Sequence, residues 1–270
     1  MRLGVNVDHI ATLREARAIN EPNPLEAVFV AKNAGAHQIT IHLREDRRHI
    51  HDSDVRSIIA QSPLPVNVEC ALTESITEIL CALTPHRITL VPEKRQEVTT
   101  EGGLDLKAHQ DSIARTLSRY HAHGIHTALF IDPSVENVTL AKELGAHCVE
   151  LHTGKYANLH LMRSSNLPKT HHSLSEFALP ASELESLLDS ELTLLANSAK
   201  TAREVGLECF AGHGLNYQNI APIRAIDEIS ELNIGHSIIA RAVFVGLERA
   251  IADMLTLCRR TPQNPHHRQT

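Results

Sequence analysis

Eight strand-like segments alternate with helical segments along the chain, and this alternation constrains the fold more than any other feature. Short runs rich in apolar and β-branched residues predict strands. They cover 2–7, 38–43, 65–70, 87–91, 126–131, 148–152, 207–211 and 232–235. Strands that alternate with helices pair in parallel through right-handed crossovers. The sequence therefore predicts an α/β protein with a parallel sheet.

Local signals mark several of the intervening helices. Asn23, followed by proline, is a typical helix cap, and Gly35 is a typical stop. Ser182 and Glu185 have the spacing of a capping box, so we expect them to begin a long helix that ends at Gly206. The last strand is followed by one predicted helix over 238–257.

Eight strand–helix units in 270 residues indicate a single (β/α)8 TIM barrel, a fold whose usual size is about 250 residues. We expect the barrel domain to span 1–258 and a disordered tail to span 259–270. An open doubly wound sheet is the alternative, but the end of the first predicted strand lacks the glycine-rich phosphate fingerprint of that fold. A polar segment over 156–181 interrupts the alternation after strand six, and connections of this length are often functional lids.

Composition excludes several classes of function. The net charge of −6 gives no general attraction to nucleic acid or to an anionic membrane, and no apolar run is long enough to span a bilayer. Aromatic residues are only 3% of the chain, with no Trp, which argues against stacking platforms. The five cysteines form no CxxC pair, which is typical of reduced thiols rather than of a disulfide framework or a structural zinc site. Histidine, with 19 residues, is the one residue type in excess that could serve acid–base chemistry or metal binding.

Acidic and histidine residues recur at the carboxyl ends of the predicted strands, where barrels of this kind place their active sites. Within the strands, His42, Glu69 and Glu150 alternate with apolar neighbours, so their side chains point into the barrel. A buried carboxylate is costly unless it is paired or functional. The sequence therefore predicts acid–base chemistry inside the barrel mouth.

Glycines and histidines end the last two predicted strands. Gly214 follows His213 after strand seven, and Gly235 precedes His236 after strand eight. The loops after strands seven and eight are the frequent phosphate site of these barrels, because glycine lets the backbone approach an anion closely. An acidic protein also needs local cations there, and the candidates are Arg17, Arg44, Lys94 and Arg95.

The residues alone thus indicate a phosphate-binding barrel enzyme that uses His and Glu as acids and bases. No zinc-protease motif and no nucleophile elbow is present, so no metal site is predicted. Another phosphosugar isomerase or aldolase remains open, with Lys94 or Lys155 as its Schiff-base lysine. A non-catalytic sensor of phosphorylated ligands on a barrel scaffold is the third possibility.

Seven motifs resemble the pyridoxine 5′-phosphate synthase family and span almost the whole chain. They are VNVDHIATLR (5–14), IHLREDRRHI (41–50), LVPEKR (90–95), TTEGG (99–103), ELHTG (150–154), AGHGLNY (211–217) and ELNIGHS (231–237). The resemblance implies a cytoplasmic octamer of (β/α)8 barrels that needs no metal or organic cofactor. It also implies the condensation of 1-deoxy-D-xylulose 5-phosphate with 3-amino-2-oxopropyl phosphate to pyridoxine 5′-phosphate, phosphate and water. The segment over 161–181 is longer than is usual for the family.

The resemblance also implies roles for individual residues. His42 and Glu69 correspond to the general bases, His213 to the general acid, and Glu150 to the residue that stabilises a transition state. The residues that correspond to contacts with the deoxyxylulose phosphate are Asp8, His9, Arg44, His49 and Thr99. Those that correspond to contacts with the amino ketone phosphate are Asn6, Arg17, Gly214, Gly235 and His236.

Overall fold

Eight parallel strands pair in chain order and close into a barrel in the computed structural model, which describes residues 1–93, 102–163 and 180–259. The last strand pairs with the first, so the sheet has no free edge. The strands are β1 (Arg2–Asn6), β2 (Gln38–Leu43), β3 (Val66–Cys70), β4 (Arg87–Leu90), β5 (His126–Ile131), β6 (Cys148–His152), β7 (Glu208–Gly212) and β8 (Ile229–Ile234). Closure confirms the predicted TIM barrel and excludes the open doubly wound sheet.

Helices surround the barrel on its outer side. In the described residues they are α1 (Asp8–Glu15), α2 (Pro24–Ala34), α3 (Asp52–Gln61), α4 (Glu74–Leu83), α5 (Gln110–Ala122), α6 (Val135–Glu143), α7 (Gly154–Arg163), α8 (Ala181–Glu204), α9 (Ile220–Arg224), α10 (His236–Val245) and α11 (Leu247–Cys258). Within the described ranges, no helix has both the length and the apolar character that a membrane span requires.

The predicted signals of α2 are confirmed. The side chain of Asn23 accepts a hydrogen bond of 3.0 Å from the backbone N–H of Leu25. Gly35 ends the helix with φ of 95°, a left-handed conformation that glycine adopts without a steric penalty.

Three helix predictions are wrong, each for a local reason. The Ser182 capping box does not form, because Pro180 caps α8 and Ser182 already lies in the first turn. The single helix predicted over 238–257 is two helices, since Gly246 breaks it with φ of 83°. The segment after β6 begins with α7 rather than a loop, because Tyr156 is buried there and donates a 2.7 Å hydrogen bond to the carbonyl oxygen of Asn219. Residues 164–179 and the tail from residue 260 lie outside the described residues.

The main apolar core lies between the barrel and its helices. In β2, for example, Ile39, Ile41 and Leu43 are fully buried on the outer face. Burial of each such side chain contributes roughly 1.5–3 kcal/mol. The alternate residues, Thr40 and His42, are buried as well, which fits their predicted inward direction.

A charged network occupies the barrel interior near the strand starts. Glu231 of β8 accepts hydrogen bonds from Arg87 of β4 at 2.8 Å and from Gln38 of β2 at 3.0 Å. Arg2 contacts the other carboxylate oxygen of Glu231 at 3.0 Å. The guanidinium of Arg87 also lies 4.1 Å from the ring centre of Phe210. Charge neutralisation therefore accompanies closure of the barrel at this end.

We expect Arg87→Met to destabilise the fold by about 3–5 kcal/mol, because it removes one partner of a buried ion pair and leaves Glu231 less well compensated. Urea unfolding monitored by circular dichroism measures the change. The matched control is Arg119→Met, which removes an exposed ion pair with Glu74 and leaves the unfolding midpoint nearly unchanged. Equal midpoints for the two variants would contradict the importance of the interior network.

Candidate active site

His42 and Glu69 lie side by side at the barrel mouth. They are directly paired in the register between β2 and β3, and both side chains point inward. Asp8, at the start of α1, accepts a 2.8 Å hydrogen bond from the backbone N–H of His42 and so ties the end of β1 to β2. One potential ligand atom from each of these three residues lies within 4.8 Å of the other two. The group brings together two carboxylates and an imidazole whose Nε2 has no hydrogen-bond partner.

Burial makes these carboxylates poor acids. The pKa of Asp8 is raised, chiefly by loss of solvation, although His42 opposes the shift. The pKa of Glu69 is raised well above its ordinary value by burial first, and then by the neighbouring carboxylates of Glu150 and Asp8. A carboxylate made more basic in this way is suited to accept a proton near neutral pH.

Glu93, which follows β4, extends this group toward the rim. Its carboxylate lies 3.7 Å from Nε2 of His42 and 3.5 Å from the guanidinium of Arg44, and it accepts a 3.0 Å hydrogen bond from the backbone of Glu45. Burial raises the pKa of Glu93, but the neighbouring His42 and Arg44 and the hydrogen bond from the backbone of Glu45 outweigh burial and lower it. An anionic carboxylate thus lies beside two of the predicted site residues.

Glu150 lies across the barrel on β6. Asn233 of β8 donates a 2.8 Å hydrogen bond to its carboxylate. Burial nevertheless raises the pKa of Glu150 to about 7, and the charge of Glu231 adds to the shift. Gly212 makes room for this carboxylate, since a Cβ at that position would lie 2.2 Å from Oε1 of Glu150.

His213 follows β7 in a left-handed conformation, with φ of 80°, which is uncommon for a residue other than glycine. The hydroxyl of Thr153 lies 2.6 Å from the carbonyl oxygen of His213 and 2.7 Å from that of Gly212. Burial and, to a smaller extent, His152 lower the pKa of His213 to about 4. The imidazole of His213 is therefore neutral at neutral pH.

Histidines and a helix N-terminus gather where β1 and β8 end. The ring of His9 lies 4.9 Å from the ring of His236, the first residue of α10. Nδ1 of His9 is buried without a hydrogen-bond partner, and burial together with His236 lowers the pKa of His9. A Cβ at Gly235 would lie 2.9 Å from Cβ of Asn6, so only glycine lets β1 and α10 approach this closely. The helix N-terminus and the imidazoles together are suited to bind an anion.

His49 provides a second candidate position for binding an anion. Its Nδ1 accepts a 2.8 Å hydrogen bond from the backbone N–H of Ile50, which leaves Nε2 to carry the proton of the neutral ring. The ring lies 6.2 Å from that of His42. Burial lowers the pKa of His49 to about 4, and His42 and Arg44 lower it further.

The remaining predicted site residues are less closely associated with these groups. Arg17 is exposed in the turn after α1, and Gly214 is exposed beside His213 with φ of 76°. Thr99, together with Lys94 and Arg95, lies outside the described residues. The structure therefore brings the four proposed catalytic residues and most of the proposed binding residues to one end of the barrel.

Three further residues join the site without having been assigned a role from the sequence. Glu93 contacts His42 and Arg44, Asn233 holds Glu150, and His152 lies against His213 with ring centres 5.0 Å apart. The sequence already indicated where these three residues lie, because each is at or shortly after the carboxyl end of a strand. Their partners could not be read from that signal, because each contact joins residues of different strands that are far apart in the sequence.

Comparison with known proteins places this arrangement in a family. The family model described as "Pyridoxal phosphate biosynthesis protein PdxJ" matches residues 3–260. The chain belongs to this family. It is 66% identical over 258 residues to the pyridoxine 5′-phosphate synthase of Helicobacter hepaticus, an alignment that covers 94% of this chain and 97% of the relative. It is 57% identical over 260 residues to the synthase of Wolinella succinogenes, with 96% and 99% of the two chains covered.

Solved structures with little sequence identity share the fold alone. A monomeric form of phosphoribosylanthranilate isomerase from Thermotoga maritima superposes with a TM-score of 0.55 at 12% identity, covering 96% of this chain and 98% of the isomerase. A 4-hydroxy-2-oxoglutarate aldolase superposes with a TM-score of 0.51 at 10% identity, covering 87% and 88%. Both agree with the barrel architecture.

We expect binding of a dianion at the mouth to draw protons onto the protein. Sulfate is the probe, because it exchanges no protons itself near the ordinary histidine pKa of about 6.5. With a pKa of about 4, His49 is neutral under those conditions, and a bound dianion raises its pKa and favours protonation. Calorimetric titration in buffers of different ionisation enthalpy measures this uptake.

In that experiment His49→Asn should reduce the proton uptake. The matched control is His123→Asn, which alters an exposed histidine whose Nδ1 lies 2.9 Å from the backbone carbonyl oxygen of Arg119. A binding enthalpy that is the same in all buffers would contradict the anion-site interpretation.

Proposed function

We propose that the chain is a pyridoxine 5′-phosphate synthase that condenses 1-deoxy-D-xylulose 5-phosphate with 3-amino-2-oxopropyl phosphate. The products are pyridoxine 5′-phosphate, phosphate and water. The single observation that carries the proposal is the convergence of buried acid–base groups and anion-seeking histidines at one barrel mouth, in a chain of this family. Neither feature alone specifies the reaction. Together they supply the proton-transfer groups and the anion sites that two phosphorylated ketones require.

The proposed chemistry is mostly proton transfer. Attack of an amine on a ketone, loss of water, elimination of phosphate, ring closure and aromatisation each move protons between carbon, nitrogen and oxygen. Such steps are served by groups whose pKa lies near the working pH. The raised pKa of Glu69 and the pKa of about 7 for Glu150 provide groups of this kind.

We assign roles by position in the mouth. His42 and Glu69 act as the general bases, which fits their adjacent places on β2 and β3. His213 acts as the general acid; its ring is neutral before substrate binds, and a bound phosphate dianion nearby would favour its protonation. Glu150 stabilises a transition state from the opposite wall.

Two phosphate positions follow from the two histidine groups. The deoxyxylulose phosphate is bound by Asp8, His9, Arg44, His49 and Thr99. The amino ketone phosphate is bound by Asn6, Arg17, Gly214, Gly235 and His236. The N-terminus of α10 supports the second position, because its free backbone N–H groups and dipole favour an anion.

The proposal extends to cofactors and assembly. No metal or organic cofactor is required, since each step uses protons that the chain or the substrates supply. We expect a cytoplasmic homo-octamer, and the exposed apolar side chains of Val243 and Phe244 at the end of α10 would suit a contact between copies. Neither nucleic acid nor membrane is an expected partner.

The Schiff-base alternative has less support. Nζ of Lys155 lies 2.7 Å from the carboxylate of Glu191, so this lysine is held as a charged ion pair. A lysine that attacks a carbonyl must instead be neutral and is usually desolvated. Lys94 lies outside the described residues.

Turnover of both substrates tests the function directly. Purified protein given both should release inorganic phosphate and form a product with pyridoxine absorbance, and a chelator should leave the rate unchanged. Consumption of one substrate alone, or trapping of a lysine by borohydride, would instead favour the aldolase or isomerase. If neither substrate alone nor the pair is turned over while both bind, the sensor alternative gains the support.

We expect Glu69→Gln to reduce kcat by about 10²–10⁴-fold, the typical contribution of a positioned general base. The amide has nearly the same shape and removes an uncompensated buried charge, so the unfolding midpoint should not fall. Glu143→Gln, on the exposed face of α6, is the matched control and should retain full activity. Full activity of Glu69→Gln in the phosphate-release assay would refute the role assigned to Glu69.

A further inference from the structure

Asp132 and His152 form a carboxylate–imidazole pair beside His213, and neither residue has a role in the proposed reaction. Oδ1 of Asp132, just after β5, lies 3.1 Å from Nδ1 of His152, the last residue of β6. The same oxygen accepts a 2.9 Å hydrogen bond from the backbone N–H of Gly103, which fixes the carboxylate in place. Because a carboxylate only accepts hydrogen bonds, Nδ1 of His152 carries the proton.

The ring of His152 is held on its other sides as well. The ring of Phe130 packs against it with centres 5.1 Å apart. Gly154 covers the opposite end, since a Cβ there would lie 2.3 Å from Nε2 of His152 and 3.0 Å from Cδ2 of His213. His152 is therefore a buried ring with one orientation, fixed by its hydrogen bond and its neighbours.

His213 in turn rests on this fixed ring. The two imidazoles meet edge to face at an interplanar angle of 60°, and Phe130 lies 6.4 Å from the His213 ring. Within the described part of the chain, His213 accepts a hydrogen bond at its backbone carbonyl, and its ring nitrogens make none. Its ring orientation thus depends on packing against His152.

From this juxtaposition we infer that Asp132 and His152 are positioning residues that orient the His213 ring for proton transfer to the substrate. The inference rests on the proposed function for the step that His213 performs. His152 does not exchange a proton with the substrate in this proposal, because Nε2 is buried beneath Gly154. Asp132 fixes the tautomer and angle of His152, as carboxylates commonly do for histidines in functional sites.

The pair also contributes to the electrostatics of His213, so the titration of this ring is a readout beside kcat. His152 lowers the pKa of His213 beyond the effect of burial. Within the described residues, the ring of Phe130, the backbone around Thr153 and Gly154 also lie against His213. Removing the imidazole at position 152 should therefore raise the pKa of His213.

Two variants test the inference. His152→Asn keeps a donor toward Asp132 but removes the ring beneath His213, and Asp132→Asn keeps the shape of the anchoring residue but removes its charge. We expect kcat to fall about tenfold to a hundredfold in His152→Asn, because a small misplacement of a catalytic group is enough for such a loss. Asp132→Asn should show a smaller fall, and KM for both substrates should change less than twofold.

The titration of His213 is measured by ¹⁵N nuclear magnetic resonance of the full chain, with His213→Gln used to assign the signal. It should move to higher pH in His152→Asn, while the control His123→Asn leaves both kcat and the titration unchanged. A fall in kcat with an unmoved His213 titration would indicate a merely structural role and overturn the inference. Unchanged kcat in both variants would also overturn it.

This design separates the inference from the proposed function. If the unaltered protein releases no phosphate from the two substrates, the proposed function fails, and with it the proton-transfer part of the inference. The titration of His213 needs no turnover, so it still decides whether His152 sets the environment of that ring.

Discussion

The free-energy cost of burying carboxylates inside the barrel governs the organisation of this molecule. A barrel interior is usually filled with apolar side chains, but this one places charged and polar groups along most of its strands. Near the strand starts the cost is met internally, because Arg87 and Gln38 satisfy Glu231. Near the carboxyl ends Arg44 meets this cost for Glu93, but Glu69 and Glu150 retain raised pKa values.

The two ends of the same barrel therefore serve different purposes. The ion-paired network around Glu231 closes the bottom and contributes to stability in the way buried pairs do, through the penalty for breaking them. The unsatisfied groups at the mouth make the site reactive and ready for a ligand. Unpaired buried polar atoms on His9, Thr40, His42, Asn67 and His152 cluster toward this interior and mouth, as expected where a fold keeps polar groups for function rather than for stability.

The fold could be predicted from the sequence because its signals are local and repeated. The period of two in β2 places His42 inside and Ile41 outside, and the same alternation places Glu69 and Glu150 correctly. The failures occurred where a stronger local signal or a tertiary contact overrides the pattern. Ser182 has a good capping spacing but follows Pro180, and Tyr156 makes helix α7 favourable through a hydrogen bond to a residue far along the chain.

For the site, as for the fold, local features could be predicted from the sequence and tertiary contacts could not. The chain order of strand ends predicts which residues reach the mouth, because parallel strands all present their carboxyl ends there. It does not predict which of them meet, since Asn233 reaches Glu150 across β7 and Asp132 reaches His152 between neighbouring strands. The resemblance to known synthases supplied the roles of His42 and His213, but it supplied no reason for the carboxylate–imidazole pair behind His213.

The backbone conformation of His213 shows why support from the Asp132–His152 pair matters. A left-handed conformation at a residue other than glycine costs free energy and persists only where the surroundings fix it. Thr153 fixes the backbone through its hydroxyl, and His152 supports the ring, so two consecutive residues of one short segment hold both parts of His213. A histidine held in this way needs little reorganisation when a substrate arrives, and low reorganisation is what the general-acid role proposed for His213 would require.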